Sequence, residues 1–170
     1  MFDRHFRLLM VLAMFIGALP SPLLGQTIIY CNAINVVLSN AYAGTNWNSG
    51  LNGYQISGGC DYSFDCSTGN FGSCQLCLMV VILTDPNNDG TYSGAAGKAT
   101  NQSGVIECGT IGKTGTFNAG PFPNMGGGLP SNDPYKVKYY AVPKTPGFAC
   151  STDAVDYDVL TVVTGTSPPF

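Results

Sequence analysis

The sequence is short of the residues that most catalytic and nucleic-acid-binding sites require. Its only histidine is His5, its only arginines are Arg4 and Arg7, and its only glutamate is Glu107. Ser-His-Asp and Cys-His nucleophiles need a histidine, so neither arrangement is available downstream of the first seven residues. The same region lacks a basic footprint, and we expect no nucleic-acid partner.

Residues 1–25 have the layout of a secretory signal peptide. Arg4, His5 and Arg7 precede an apolar run at 8–19, and Pro20 ends that run. We predict cleavage after Gly25; the alternative is a retained membrane anchor, which normally needs about 20 apolar residues. Cleavage would leave five lysines against nine acids, a net charge of −4, on a chain with no membrane segment. The predicted location is secreted, extracellular or cell surface.

Seven cysteines in an exported chain indicate disulfides. The close set at 60, 66, 74 and 77 is expected to pair mostly within itself, and a staple is expected between 108 and 150. Cys31 is then the odd one and is predicted to be free. A redox motif or a four-thiolate zinc site at Cys74 and Cys77 is the alternative, which export makes less favourable. The disulfide candidates are Cys60, Cys66, Cys74, Cys77, Cys108 and Cys150.

The clearest structural pattern is the apolar run at 76–83, followed by Asp-Pro-Asn-Asn-Asp-Gly at 85–90. A bounded apolar run with β-branched residues predicts a buried strand, and the polar cluster predicts the turn of a hairpin. This strand is predicted to be the central one of the core.

The rest of the chain is rich in Gly, Asn, Thr, Tyr and Val, which is typical of strands and turns. Further strands are predicted at 27–39, 105–111, 114–117, 135–142 and 156–164. Residues 40–73 are predicted to be a Cys-rich loop region with a short strand at 54–56, and 94–104 a polar connection. We therefore predict an all-β, antiparallel β-sandwich at 26–166 that is stabilised by disulfides, with a Pro-rich tail at 167–170 that acts as a linker or frayed end.

Three segments resemble the second half of immunoglobulin-like or fibronectin-III-like repeats of bacterial secreted and surface proteins. They are Thr-Phe-Asn-Ala-Gly-Pro-Phe-Pro at 116–123, the strand at 135–142, and Phe-Ala-Cys-Ser at 148–151. The resemblance covers the last third to half of the chain. It implies an Ig-like sandwich that acts as a spacer, an adhesin or a binding domain.

The turn at 85–90 also matches the first half of an EF-hand loop, D-x-N-x-D-G. Asp85, Asn87, Asp89 and the carbonyl of Thr91 are the candidate ligands, and Ala96 stands where the bidentate glutamate is expected. The pattern predicts a weak calcium site, and the alternative is a hairpin turn without a metal.

Three aromatic residues, Tyr42, Trp47 and Tyr54, lie among asparagines. Aromatic faces and amide donors suit sugars, and exposed Tyr and Trp suit protein interfaces. We predict a contact platform for an unidentified protein or glycan; the alternative is that these rings pin the loop onto the sandwich.

The function that fits best is a secreted, non-catalytic module with a surface, adhesive or binding role. The first alternative is a glycosidase-like hydrolase that uses two carboxylates. The second is a structural extracellular protein that is cross-linked through its odd cysteine. The candidate carboxylates for a hydrolase are Asp61 with Asp65, or Asp153 with Asp156 and Asp158.

Overall fold

The computed structural model describes residues 33–66, 72–107, 111–122 and 128–169, without the side chains of 94–96, and these residues are mostly strand and turn. One 3-10 turn, Ala154–Asp156, precedes the last strand. The predicted all-β class is confirmed. The strands are β1 Ala33–Asn48, β2 Gly53–Cys66, β3 Ser73–Thr84, β4 Gly94–Gln102, β5 Ile106–Glu107, β6 Lys113–Ala119, β7 Pro134–Lys144 and β8 Val159–Thr166.

The strands form two antiparallel sheets. One has the order β1-β2-β6; the other has the order β4-β3-β7-β8, with the short β5 paired to the start of β3. β1 packs against β7 and β8 of the second sheet. Apolar side chains from both sheets share one buried core, so the sheets face each other across it.

β3 is buried on both faces, which confirms the predicted central strand. Leu78 and Val80 belong to the inner core, and Met79 belongs to a second cluster on the outer face. The connection between β7 and β8 supplies Cys150 and Tyr157 to that second cluster. A strand covered on both sides is apolar at successive positions, which explains the unbroken run in the sequence. The predicted hairpin is confirmed as the pair β3 and β4.

The loop predicted at 40–73 is wrong, because most of it is the long hairpin of β1 and β2. Glycine and asparagine are depleted in strands, so composition alone favoured a loop. Cross-strand packing overrides that preference here. The Tyr62 ring covers the position opposite it at Gly115, and two irregularities in β1 accommodate Asn35 and Asn40 at positive φ.

The connection predicted at 94–104 is also wrong, because β4 occupies Gly94–Gln102 and pairs with β3. Gly97 in this strand gives room to the ring of Phe122, which is buried. A glycine inside a strand here marks the close approach of a neighbouring ring rather than a loop.

The structure describes the C-terminal tail up to residue 169 but begins only at residue 33. The predicted signal peptide at 1–25 and the predicted strand residues 27–32 lie outside the described residues. Ser167 is 2% exposed, its N–H donates to Asp133 O, and Ser167 O accepts from Asn132 N–H. The predicted tail is therefore tied to the domain at its start. Among the described residues, no helix is long and apolar enough to span a bilayer.

The described disulfide joins Cys77 to Cys150, with Cα atoms 5.4 Å apart. The predicted staple between Cys108 and Cys150 is therefore wrong, as is pairing of Cys77 within the close set. Cys77 points to the outer face of β3, where the loop after β7 brings Cys150, whereas Cys60 points into the core from the other sheet.

The five other cysteines differ in their environment. Cys60 is a free thiol and 1% exposed, and burial together with the nearby charge of Asp61 raises its pKa to about 11. Cys66 is disulfide-bonded, and Cys74 is fully buried. Cys31 and Cys108 lie outside the described residues. Cys60 is thus wrong as a disulfide candidate, and its burial also prevents it from cross-linking two chains.

Candidate functional site

The outer surface of the three-stranded sheet is polar over most of its length, and the exposed apolar side chains of Ile34 and Val37 lie at one end of it. On β2 the side chains alternate: Cys60 and Phe64 enter the core, whereas Asp61 and Ser63 point outward. The outward row continues onto β1 and β6 through the strand register. We call this surface the polar face; it is formed by Ser39, Asn40, Tyr42, Asp61, Ser63, Thr114, Thr116 and Asn118.

Asp61 lies at the centre of the polar face and is held from both sides. Its Oδ2 accepts from Asn40 Nδ2 at 2.8 Å, and its Oδ1 accepts from Thr116 Oγ1 at 2.9 Å. These two hydrogen bonds lower the pKa of Asp61 from its ordinary value. The positive φ of Asn40, at the irregularity in β1, turns its amide toward the carboxylate.

Tyr42 lies beside this cluster and is 54% exposed. Its hydroxyl donates to Asn118 Oδ1 at 3.1 Å. Gly59 lies opposite Tyr42, and a Cβ at Gly59 would lie 3.0 Å from Tyr42 Cε1 and 2.8 Å from Asn118 Oδ1. The ring therefore rests against the backbone of β2 and presents exposed aromatic surface in a fixed position.

Hydroxyl groups extend the polar face away from Tyr42. Ser39, Ser63 and Thr114 join Asp61 and Thr116 around a shallow groove. In the other direction, Asn46 Nδ2 donates to Ser57 Oγ at 3.3 Å. The surface thus combines an ionised carboxylate, amides, hydroxyls and an aromatic ring, which is the chemistry that recognises sugar hydroxyls and the apolar faces of sugar rings.

The predicted aromatic platform does not form a single surface. Trp47 and Tyr42 are five residues apart on β1 with no irregularity between them, so they lie on opposite faces. Trp47 and Tyr54 instead contact each other edge to face, with ring centroids 5.3 Å apart. Tyr42 is the member of the predicted set that belongs to the polar face. Asp61, Thr116 and Asn118 were not predicted as ligand contacts, although the alternation Ser57, Gly59, Asp61, Ser63 in the sequence indicates an outward polar row.

The predicted calcium loop is closed by its own backbone. Asp85 is 2% exposed; its Oδ1 accepts from Asp89 N–H at 3.1 Å and its Oδ2 from Gly90 N–H at 2.7 Å. Asp89 Oδ1 accepts from Thr91 N–H, which lowers the pKa of Asp89. Asn87 is exposed beside them. This arrangement accounts for both aspartates as turn residues, and the calcium site stays a prediction. Within the described ranges, no group of three or more His, Cys, Asp or Glu residues is placed to hold a metal.

Replacing Asp85 by alanine is expected to lower the free energy of unfolding by about 2 kcal/mol, because the buried carboxylate accepts from two backbone N–H groups of the turn and both hydrogen bonds are lost. Asp89→Ala is the matched control, since Asp89 is exposed and accepts from a single backbone donor. Urea denaturation of both variants measures the difference. Equal, small losses in both variants would contradict the role given to Asp85.

Asp61 and Asp65, one of the two carboxylate sets considered for hydrolysis, do not have the spacing of a glycosidase pair. Asp61 and Asp65 are four residues apart on the same strand, which places them about 13 Å apart, whereas glycosidase carboxyl groups are about 5 to 9.5 Å apart. Asp65 accepts from Asn35, Asp156 from Ser151, and Asp153 caps the 3-10 turn. The lowered pKa of Asp61 is also opposite to what a general acid needs.

No protein-family model, curated protein or solved structure shows significant similarity to this chain.

Proposed function

We propose that this protein is a secreted, non-catalytic, Ig-like β-sandwich that binds neutral carbohydrate through the polar face and so serves a surface or adhesive role. The observation that carries the proposal is the exposed Tyr42 ring held beside the Asp61 cluster. A pre-positioned ring and acceptor reduce the ordering cost of binding a ligand.

The strand order supports the Ig-like assignment. The order β1-β2-β6 is the same as the order of strands A, B and E in an immunoglobulin sandwich, and the order β4-β3-β7-β8 is the same as that of C′, C, F and G. The Cys77–Cys150 disulfide supports export, because such bonds persist mainly in oxidising compartments.

Sugar recognition is favoured over a protein ligand by the composition of the polar face. Asp61 is its one charged residue, and its other members carry hydroxyl or amide groups. Protein interfaces are built around buried aromatic and arginine anchors at their centre. A single ring among paired amides and hydroxyls is better matched to the alternating apolar and hydroxyl surfaces of a sugar.

A glycan array with the purified protein tests the proposal. Asp61→Asn is expected to weaken binding to the best neutral glycan about tenfold, because a lost hydrogen bond to a charged group costs about 1.5 kcal/mol or more. Tyr42→Ala is expected to have an effect of similar size, about tenfold or somewhat less, because it removes the aromatic surface on which the sugar would rest. Trp47→Ala is the matched control, because Trp47 is 45% exposed and lies on the opposite face of the same strand. Equal loss in all three variants, or binding that all three retain, would contradict the proposal.

The lowered pKa of Asp61 predicts how glycan binding depends on pH. Because the pKa of Asp61 is below its ordinary value in the folded protein, the carboxylate stays ionised from neutral pH down through the ordinary aspartate range. Glycan binding is expected to be constant over that interval and to fall only as the pH drops through the lowered pKa.

A further inference from the structure

The outward side chains of the three-stranded sheet lie in rows that run across the strands. Because β2 alternates between the core and the surface, successive outward positions on it are two residues, or about 7 Å, apart. The strand register then assigns one residue of each strand to each row. The first row is Tyr42, Gly59 and Asn118, the second is Ser39, Asp61 and Thr116, and the third is Val37, Ser63 and Thr114.

The rows differ in how far their polar groups are already used. The Tyr42 hydroxyl and the Asp61 carboxylate have protein partners, which fix them in position. By contrast, the hydroxyls of Ser39, Ser63 and Thr114 make no hydrogen bond to another described residue. All three hydroxyl-bearing residues line the groove beside Asp61, which has a volume of about 410 Å³. This end of the polar face therefore holds donors and acceptors that a ligand can use.

The order of the rows along β2 indicates how a ligand lies on them. A ligand that lay across the strands would meet a single row. One that lies along β2 meets the Tyr42 ring, then the Asp61 carboxylate, and then the hydroxyls of Ser63 and Thr114. Only the second orientation uses the aromatic surface, the charge and the unused hydroxyls together.

We propose, on the basis of the proposed function, that the polar face binds a linear chain of at least three sugar residues that runs along β2. The first sugar packs its apolar face on the Tyr42 ring, the next donates hydroxyl hydrogen bonds to Asp61, and the last bonds to Ser63 and Thr114. The first and third rows are about 13 Å apart, which is longer than one sugar ring. A monosaccharide therefore cannot reach both rows.

The next outward position on β2 gives the site an end. It is Asp65, whose carboxylate accepts from Asn35. Its partner on β1 is Ile34, an exposed apolar residue, and Gly112 lies on its other side. Hydrogen bonding by side-chain hydroxyls thus ends with the third row, and affinity should stop rising once the chain has filled the three rows.

Isothermal titration calorimetry of the mature protein tests the proposal with cello-, malto-, manno- and N-acetylchito-oligosaccharides of one to six sugar residues. In the series that binds, the association constant is expected to rise at least about fivefold from the disaccharide to the tetrasaccharide, because one or two further hydrogen bonds form. From the tetrasaccharide to the hexasaccharide it should change less than about twofold, because no further group is met.

A double variant separates the third row from the other two. Ser63→Ala with Thr114→Val removes both hydroxyls and is expected to weaken tetrasaccharide binding about fivefold, to the level of the disaccharide. Tyr42→Ala should weaken binding at every length. Thr164→Val is the matched control, because Thr164 is exposed and its neighbour Val163 packs on the core, which places Thr164 on the outer face of the other sheet. Binding should be unchanged in this control.

The outcomes distinguish the extended chain from sugar binding itself. An association constant that does not depend on length, or a double variant that weakens disaccharide and tetrasaccharide binding equally, would overturn the extended chain. If that binding still required Tyr42, the proposed function would stand. Failure of all four series to bind at millimolar concentrations would overturn both.

Discussion

Gly58→Ala is expected to be the most destabilising single substitution considered in this protein, costing about 3 kcal/mol or more of unfolding free energy. Gly58 faces the core from β2. The hydroxyl of Tyr139, on β7, donates to Tyr42 O at 2.7 Å in the space beside it. A Cβ at Gly58 would lie well inside 3.0 Å of both Tyr139 Oη and Tyr42 O, a separation that real Cβ atoms essentially never show. The added methyl group would therefore displace the hydrogen bond that ties the two sheets together.

Chemical denaturation of a small set of variants separates the steric and hydrogen-bonding parts of this effect. Gly44→Ala is the matched control, since a Cβ there meets no atom within 4 Å. Tyr139→Phe should cost about 1 to 2 kcal/mol, because the hydrogen bond from the buried Tyr139 hydroxyl to Tyr42 O is lost. Adding Tyr139→Phe to Gly58→Ala should recover only part of the loss, because the clash with Tyr42 O remains. A Gly58→Ala variant as stable as Gly44→Ala would contradict this packing.

Burial explains why the Tyr139 hydroxyl serves as a donor throughout the physiological range. Tyr139 is fully buried, and loss of solvation raises its pKa well above that of an ordinary tyrosine. The hydroxyl therefore keeps its proton and the hydrogen bond to Tyr42 O.

Removal of the disulfide with Cys77→Ala and Cys150→Ala is expected to cost about 4 kcal/mol. The bond closes a loop with a sequence separation of 73 residues, and loop-closure entropy for that length is about 4 kcal/mol. The bond also fixes the connection that covers Met79 on the outer face of β3. Urea denaturation of the double variant measures the loss.

Cys60→Ala controls for the removal of a buried sulfur, because Cys60 makes no disulfide. This substitution leaves a small cavity and should cost about 1 kcal/mol. If the double variant lost no more stability than Cys60→Ala, the disulfide would not be the main tether of the loop.

The parts of the fold that the sequence predicts are those in which local chemistry and tertiary packing agree. β3 is apolar because both of its faces are covered, and the turn after it carries the residues that its geometry requires. The second half of β1, most of β2 and all of β4 were missed because their glycines and asparagines are poor strand formers in isolation. The Tyr42 and Tyr62 rings lie across glycines on neighbouring strands, and that pairing cannot be read without the register.

The sequence predicted single residues of the site but not their arrangement, because the arrangement depends on the strand register. Tyr42 was expected to contact a ligand and Asp61 was considered as a carboxylate, but no sequence pattern placed them together. The irregularity in β1 between Ser39 and Tyr42 decides which side of the sheet each later residue faces. It places Tyr42 on the same face as Ser39, which pairs with Asp61, although the two residues are three positions apart. Regular alternation in the sequence would put Ser39 and Tyr42 on opposite faces, so the spacing alone could not predict that Tyr42 lies near Asp61.

The most direct test of the binding surface is a backbone-amide NMR titration of the mature protein with the neutral oligosaccharide that binds best on the array. The largest shifts are expected at Gly59, Thr116 and Asn118, which surround the Tyr42 ring and the Asp61 cluster. Shifts concentrated at Trp47 or on β8, with Gly59 and Thr116 unchanged, would contradict carbohydrate binding by the polar face.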